Sequence, residues 1–147
     1  MKNPVSFAVL GYGHIGKRHA ATIHAHPGAE LRSVADVVDV SASLEGDSEG
    51  EKISVYPSIE DLLAHSPLPE VISVCTPNGF HAAQCIQILE AGCHVVLEKP
   101  IALSVSDARL VAETSRATGK HVFCVMQNRF APPSVWLKSL VESGKLG

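Results

Sequence analysis

Three glycines with the spacing G-x-G-x-x-G, at Gly11, Gly13 and Gly16, are the residues that most clearly indicate chemistry. The first glycine allows a tight turn, the second lets the backbone approach a pyrophosphate closely, and the third lets a helix pack closely on a strand. Unpaired N–H groups at the start of such a helix attract phosphate. The pattern alone is weak evidence, since it also occurs in turns that bind nothing. A preceding strand and a following helix make it specific.

A dinucleotide site also requires a carboxylate at the end of the second strand, and the chain has one there. Asp36 ends the second predicted strand, about 20 residues after Gly16. A carboxylate at this place can accept hydrogen bonds from both hydroxyls of the adenosine ribose, and it would repel a 2′-phosphate. The sequence therefore predicts an NAD site and disfavours NADP.

Three further strand ends carry distinctive polar residues. The segments Thr76–His81, Glu98–Pro100 and Gln127–Phe130 follow the fourth, fifth and sixth predicted strands. Ligands of open parallel sheets bind outside the carboxyl ends of the strands. We therefore expect these segments to form a rim of hydrogen-bonding groups beside the dinucleotide.

Strands alternate with helices along the chain, which is typical of a doubly wound parallel α/β sheet in a single Rossmann domain. The predicted strands are Val5–Leu10, Leu31–Asp36, Ile53–Tyr56, Val71–Cys75, His94–Leu97 and Val122–Met126. The predicted helices are His14–His26, a helix preceded by Ser58 that runs through Ala64, Phe80–Ala91, Ser104–Gly119, and a last one opened by Pro133 and Ser134 and closed by Gly144. We interpret Val40–Lys52 as a loop or weak helix. Capping boxes begin two helices, at Ser58 and Ser104. In the last helix we expect Leu137, Leu140 and Val141 to face inward.

The composition narrows the class of protein. A chain of 147 residues with a net charge of -3 has no general basic surface for nucleic acid or anionic lipid. The longest uncharged stretch, Val71–Leu89, contains Pro77 and other polar or helix-breaking residues, so it does not suit a membrane. Four cysteines in apolar runs lack metal-binding spacing and indicate a reducing compartment. With no leader pattern, we expect a cytoplasmic protein. We interpret His19, His24 and His26 as a solvated helix face and expect no metal site.

The glycine loop and the three polar strand ends together resemble the N-terminal cofactor domain of the Gfo/Idh/MocA (glucose–fructose oxidoreductase / inositol 2-dehydrogenase / rhizopine-catabolism) family. The resemblance covers the whole chain, in GYGHIGKRHA, VISVCTPNGFHA, AGCHVVLEKPIA and the final GKLG. It implies an NAD(P)-dependent oxidoreductase acting on a hydroxyl of a sugar or cyclitol. QNRF followed by Pro132 and Pro133 looks most like enzymes that oxidise the 3-position of nucleotide-linked amino-sugar uronates.

By this resemblance, Lys99 is the catalytic lysine of the family's Glu-Lys-Pro motif. A lysine there can hydrogen-bond the reacting hydroxyl, stabilise the negative charge that develops on oxygen and relay a proton. A solvated loop lysine is the alternative. The resemblance also implies a cis Lys99–Pro100 peptide. The expected cofactor contacts are Gly11, Tyr12, Gly13, His14, Ile15, Gly16, Asp36, Thr76, Pro77, Asn78, His81, Glu98, Lys99, Gln127 and Asn128, with Tyr12 and His14 acting through their backbone.

Three residues have two interpretations each. Glu98 either orients Lys99 or contacts a ribose. His81 either contacts the cofactor or is a helix-start histidine satisfied by the backbone. Arg129 either binds an anionic group of the substrate or forms a structural ion pair.

Members of the family continue into a second, α+β domain that supplies most substrate contacts, an acid/base Asp and His pair, and the sheet used for oligomerisation. We therefore expect residues 1–147 to be the cofactor domain of a larger homo-oligomeric oxidoreductase, binding NAD without efficient turnover. Two alternatives are a stand-alone nucleotide-binding or NAD-sensing module and an S-adenosylmethionine-dependent methyltransferase. Lys99 argues against the latter, because methyl transfer needs no lysine at a hydroxyl.

Overall fold

Six parallel strands form one sheet in the order β3-β2-β1-β4-β5-β6. The computed structural model describes residues 3–44 and 53–146. The strands are β1 Val5–Leu10, β2 Ala29–Ala35, β3 Ser54–Tyr56, β4 Val71–Val74, β5 His94–Leu97 and β6 Val122–Cys124. The strand order reverses between β1 and β4, and ligands of doubly wound sheets bind at such a reversal. This architecture confirms the predicted fold class.

Local sequence signals account for most helix boundaries. The helices are α1 His14–His24, α2 Ser41–Leu44, α3 Ile59–Ala64, α4 His81–Glu90, α5 Val105–Thr118 and α6 Pro132–Glu142. The hydroxyls of Ser58 and Ser104 accept from the backbone N–H groups of Asp61 and Asp107, each at 3.0 Å, which confirms the predicted serine N-caps. Of the stretch predicted as loop or weak helix, residues 41–44 form α2 and residues 45–52 lie outside the described residues.

Apolar side chains cover both faces of the sheet. Alternate residues of β1 point to opposite sides, so Ala8 and Leu10 join one buried cluster and Val9 joins the other. Helices α3, α4 and α5 contribute to the first cluster, and α1 and α2 contribute to the second. The core therefore lies in two layers that hold the sheet rigid and leave its carboxyl edge for the site.

The last helix differs from the prediction. Leu137 and Val141 are 51% and 62% exposed, Leu140 is partly exposed, and Trp136 is 63% exposed. The expectation that Leu137, Leu140 and Val141 face a core is wrong for the part of the chain that the structure describes. The periodicity locates an apolar face on α6, but a pattern within one helix carries no information about what covers that face.

The four cysteines are unpaired, and the long uncharged stretch forms parts of several elements of the fold. All four cysteines are free thiols, and burial raises the pKa of Cys85 to about 12, so this thiol is a packing group. The stretch Val71–Leu89 forms β4, a 3₁₀ turn at Asn78–Phe80 and most of α4. Among the described residues, no helix combines the length and hydropathy needed to cross a bilayer.

Candidate functional site

The loops after five strands meet at one edge of the sheet. Backbone hydrogen bonds between neighbouring strands continue just beyond the strand ends. The N–H groups of Gly11, Cys75 and Glu98 donate to the carbonyl oxygens of Ala35 (2.8 Å), Leu10 (2.8 Å) and Val74 (3.1 Å), respectively. The glycine loop, Asp36 and the segments after β4, β5 and β6 therefore lie side by side at the carboxyl edge. This is the rim that the sequence predicts.

The glycine loop is shaped by close backbone contacts. Gly11 has a φ of +87°, and a Cβ atom there would lie 2.9 Å from the backbone carbon of Cys75. A Cβ atom on Gly16 would lie 2.0 Å from the carbonyl oxygen of Gly11. Both positions therefore exclude a side chain, because α1 and β4 pack directly on the loop.

The start of α1 has the properties of a phosphate site. Gly13 occupies the N-cap position without a side-chain cap, and the first turn holds no acidic residue. A Cβ atom on Gly13 would meet nothing within 4 Å, so the backbone there faces open space. His14 and Ile15 follow with exposed side chains, whereas the Tyr12 side chain is buried in the core. The uncapped backbone N–H groups at this point fit a pyrophosphate.

Asp36 is held by the backbone on both sides. One carboxylate oxygen, Oδ2, accepts from the N–H of Tyr12 at 2.6 Å, and Oδ1 accepts from the N–H of Val38 at 2.9 Å. Each carboxylate oxygen has a second lone pair. The carboxylate thus ties the end of β2 to the glycine loop and retains acceptors for two hydroxyl groups.

A cleft of about 830 Å³ opens beside the loop and Asp36. Five predicted cofactor contacts line it: Gly11, Gly13, Asp36, Thr76 and Pro77. Sequence reasoning missed Val37 and Gln84, which also line it. Val37 directly follows Asp36 and is 90% exposed, and an apolar residue at that place was the available signal. The volume and lining suit the adenosine half of a dinucleotide.

Lys99 lies at the end of β5 with an exposed side chain, outside the residues that line this cleft. The Lys99–Pro100 peptide is cis, as the resemblance implied. Beside it, the buried Glu98 accepts the Lys99 N–H on Oε2 (3.2 Å). This geometry places Glu98 where it can orient the lysine.

His19 is the residue that sequence analysis most clearly misjudged. Its Nε2 lies 3.1 Å from Oε1 of Glu98, and its side chain is only 16% exposed. The expectation of a solvated face is therefore wrong for His19, although His24 and His26 are exposed. The contact joins residues far apart in the chain, so no local pattern could show it. No group of three or more metal-ligating side chains occurs among the described residues.

His81 is 1% exposed and is engaged by the backbone. Its Nδ1 lies 2.7 Å from the carbonyl oxygen of Pro100, and its Nε2 lies 2.8 Å from that of Thr76. The structure thus shows the arrangement in which a helix-start histidine is satisfied by the backbone. The imidazole instead connects the loops after β4 and β5.

The remaining predicted contacts lie on exposed turns. Asn78 begins the 3₁₀ turn that precedes α4, and Gln127, Asn128 and Arg129 form a second 3₁₀ turn after β6. All four side chains are exposed. Since β6 is the neighbour of β5, the second turn follows the strand next to the one that precedes Lys99.

Comparison with known proteins agrees with this geometry. Residues 5–126 match the model of GFO_IDH_MocA, described as an oxidoreductase family with an NAD-binding Rossmann fold. The chain belongs to the Gfo/Idh/MocA family. The described structure is thus the family's NAD-binding Rossmann fold.

Three relatives illustrate the match. D-glucoside 3-dehydrogenase of Escherichia coli (strain K12) is 34% identical over 146 residues, which are 99% of this chain and 41% of that protein. Inositol 2-dehydrogenase of Rhizobium meliloti (strain 1021) is 28% identical over 97% of this chain and 42% of that protein. The crystal structure of the WlbA dehydrogenase from Chromobacterium violaceum, in complex with NADH and UDP-GlcNAcA, has a TM-score of 0.87 and 30% identity. It covers 100% of this chain and 42% of that one, so the chain spans about two-fifths of these relatives.

Proposed function

We propose that the carboxyl edge binds NAD with its pyrophosphate at the start of α1 and its adenosine ribose on Asp36. The observation that carries this proposal is the uncapped first turn of α1 beside an open Gly13. Such a turn offers N–H groups to an anion, and no acidic side chain there opposes it. Asp36 adds two acceptors at the end of β2, where the ribose lies in dinucleotide folds.

We further propose a preference for NAD over NADP. Both oxygens of Asp36 are held by N–H groups, so the carboxylate cannot easily turn away from a ligand. In NADP the 2′-phosphate would lie beside the negatively charged carboxylate of Asp36, and two negative charges in contact repel each other. Among the residues that the structure describes, no basic side chain lines the cleft to offset that repulsion.

We propose that the chain serves an oxidoreductase that removes hydride from a secondary hydroxyl of a sugar or cyclitol. Bound NAD supplies the hydride acceptor, and the protein supplies position and charge. Oxidation removes a hydride from the carbon and a proton from its hydroxyl oxygen. The ammonium group of Lys99 would donate a hydrogen bond to that oxygen and stabilise the negative charge that develops as the hydroxyl proton passes to a base of the enzyme. Within this class we propose the 3-hydroxyl of a sugar, with nucleotide-linked amino-sugar uronates first, because relatives are named a D-glucoside 3-dehydrogenase and a WlbA dehydrogenase in complex with UDP-GlcNAcA.

We propose that the chain is the cofactor-binding unit of a longer enzyme, because it spans 41% and 42% of the relatives named above. Binding is therefore the decisive experiment, since it needs only this chain. Calorimetric titration should show saturable binding of NAD, weaker binding of NADP and no binding of S-adenosylmethionine. Saturable S-adenosylmethionine binding with no NAD binding would overturn the proposal in favour of a methyltransferase.

Two variants with matched controls separate the roles. Asp36→Asn should weaken NAD binding and narrow the gap to NADP, whereas Asp39→Asn, beyond the proposed ribose position, should change neither. Lys99→Met should weaken NAD binding less than Asp36→Asn does, and Lys138→Met on the exposed face of α6 should leave NAD affinity unchanged. Rapid NADH production by this chain with any sugar would contradict the proposal that substrate turnover needs a further unit.

A further inference from the structure

Two histidine side chains hold the Glu98-Lys99-Pro100 segment, one at each end. At one end, Nε2 of His19 donates to Oε1 of Glu98 (3.1 Å), and Oε2 of Glu98 accepts the Lys99 N–H (3.2 Å). At the other end, the carbonyl oxygen of Pro100 lies 2.7 Å from Nδ1 of His81. The backbone on both sides of Lys99 is therefore constrained by side chains from outside its own loop.

The carboxylate of Glu98 occupies the centre of this edge. Burial is the larger cause that raises the pKa of both Cys75 and Cys124, and the negative charge of Glu98 adds to the effect at each thiol. These two thiols lie at the ends of β4 and β6, on either side of β5. A carboxylate so enclosed needs a hydrogen-bond donor, since a buried charge without a partner is strongly unfavourable. His19 is that donor from α1.

His19 also connects the lysine to the phosphate-binding helix. It lies six residues after Gly13, which is about 9 Å along the axis of α1 at 1.5 Å per residue. The same rigid helix therefore carries the proposed pyrophosphate site at its first turn and a hydrogen bond to Glu98 in its second. A ligand that positions the start of α1 also positions the donor that holds Glu98.

We propose that His19 is a positioning residue, which through Glu98 sets the backbone of Lys99 relative to the phosphate-binding end of α1. This inference rests on the proposed function for the importance of Lys99. It adds a physical route by which cofactor binding at α1 places the lysine. His19 itself touches neither cofactor nor substrate in this scheme.

The test uses the chain labelled with ¹⁵N-lysine, with the Lys99 signal assigned by Lys99→Arg. Two quantities are measured: the hydrogen-exchange rate of the Lys99 amide and the change in its chemical shift on saturation with NAD. In His19→Leu, the Lys99 amide should exchange faster by roughly tenfold. That is the change expected when the hydrogen bond from the Lys99 N–H to the charged carboxylate of Glu98 is lost. The NAD-induced shift at Lys99 should also be lost, although calorimetry still detects NAD binding.

Rescue distinguishes positioning from simple packing. His19→Gln should restore both quantities, because the Gln Nε2 can donate from about the position of the imidazole Nε2. His24→Leu, on the exposed side of the same helix, should match the unchanged chain. If His19→Leu fails to fold, His19→Asn, whose amide stops short of Glu98, replaces it in the comparison with His19→Gln.

The outcomes separate the two proposals. If His19→Leu or His19→Asn keeps the exchange rate and the NAD-induced shift of the unchanged chain, His19 is not a positioning residue. The same conclusion follows if His19→Gln loses them as completely as His19→Leu. If the unchanged chain gives no NAD binding, the proposed function fails, and the exchange rates still decide whether His19 holds the Lys99 backbone.

Discussion

A methyl group added at Gly16 tests the packing of α1 on the glycine loop. In Gly16→Ala the new Cβ would lie 2.0 Å from the carbonyl oxygen of Gly11 and 3.3 Å from Cγ1 of Val9. Real Cβ contacts essentially never fall below 3.0 Å, so the helix and the loop must separate by about 1 Å. The clash is with backbone, so no change of rotamer relieves it.

The expected loss of stability follows from two opposing terms. Overpacking a tightly packed site costs up to about 3 kcal/mol. Replacing glycine by alanine inside a helix recovers up to about 1 kcal/mol. We therefore expect Gly16→Ala to lower the free energy of unfolding by about 2 kcal/mol, measured by urea denaturation followed by circular dichroism. NAD affinity should fall by more than roughly tenfold in calorimetry, because the displaced loop no longer presents its N–H groups together.

The matched variant is Gly13→Ala. A Cβ atom on Gly13 would meet nothing within 4 Å, so the free energy of unfolding should change by less than about 1 kcal/mol. The methyl group would instead occupy the space proposed for the pyrophosphate, and NAD affinity should again fall by roughly tenfold or more. A stable Gly16→Ala, or a Gly13→Ala that binds NAD as well as the unchanged chain, would refute this reasoning.

Three further predictions test separate parts of the structure. Asp36→Ala should weaken NAD binding by roughly tenfold and raise the NADP-to-NAD affinity ratio, measured by calorimetry; an unchanged ratio contradicts the ribose assignment. Burial raises the pKa of Cys75 to about 12, so at pH 8 its thiol should react with an aromatic disulfide reagent roughly a thousandfold more slowly than an ordinary cysteine. Ile88→Ala, at a fully buried site, should lower the free energy of unfolding by about 3 kcal/mol, whereas Leu137→Ala on α6 should change it by less than about 0.5 kcal/mol.

Features set by neighbouring residues could be predicted well from the sequence. The cap of α3 depends on Ser58 and Asp61, three residues apart, and the structure forms the predicted contact. The end of α5 depends on Gly119 alone, which adopts a φ of +69°. In both cases the physical cause lies within one turn of chain, so a local pattern contains all the information needed.

Features that depend on packing between distant segments could not be predicted. His19 and Glu98 meet because α1 crosses the sheet in one particular register, and nothing near either residue encodes that register. The apolar face of α6 was located correctly, yet the residues around Leu137 do not say what lies against it. For His81, both interpretations were consistent with the sequence, and only the positions of two carbonyl oxygens distinguished them.

The two halves of the candidate site are held by different kinds of group. This difference explains why one half could be predicted from a sequence motif and the other could not. The adenosine half depends on backbone: Gly11 and Gly16 allow close contact, and Asp36 accepts from two N–H groups. Backbone geometry constrains residue type at short spacings, so this half leaves a motif. The lysine half depends on side chains, His19 and His81, that arrive from two different helices. Contacts from distant helices leave no pattern of their own in the chain around Lys99, so the Glu-Lys-Pro segment could be given a role only through resemblance to a family.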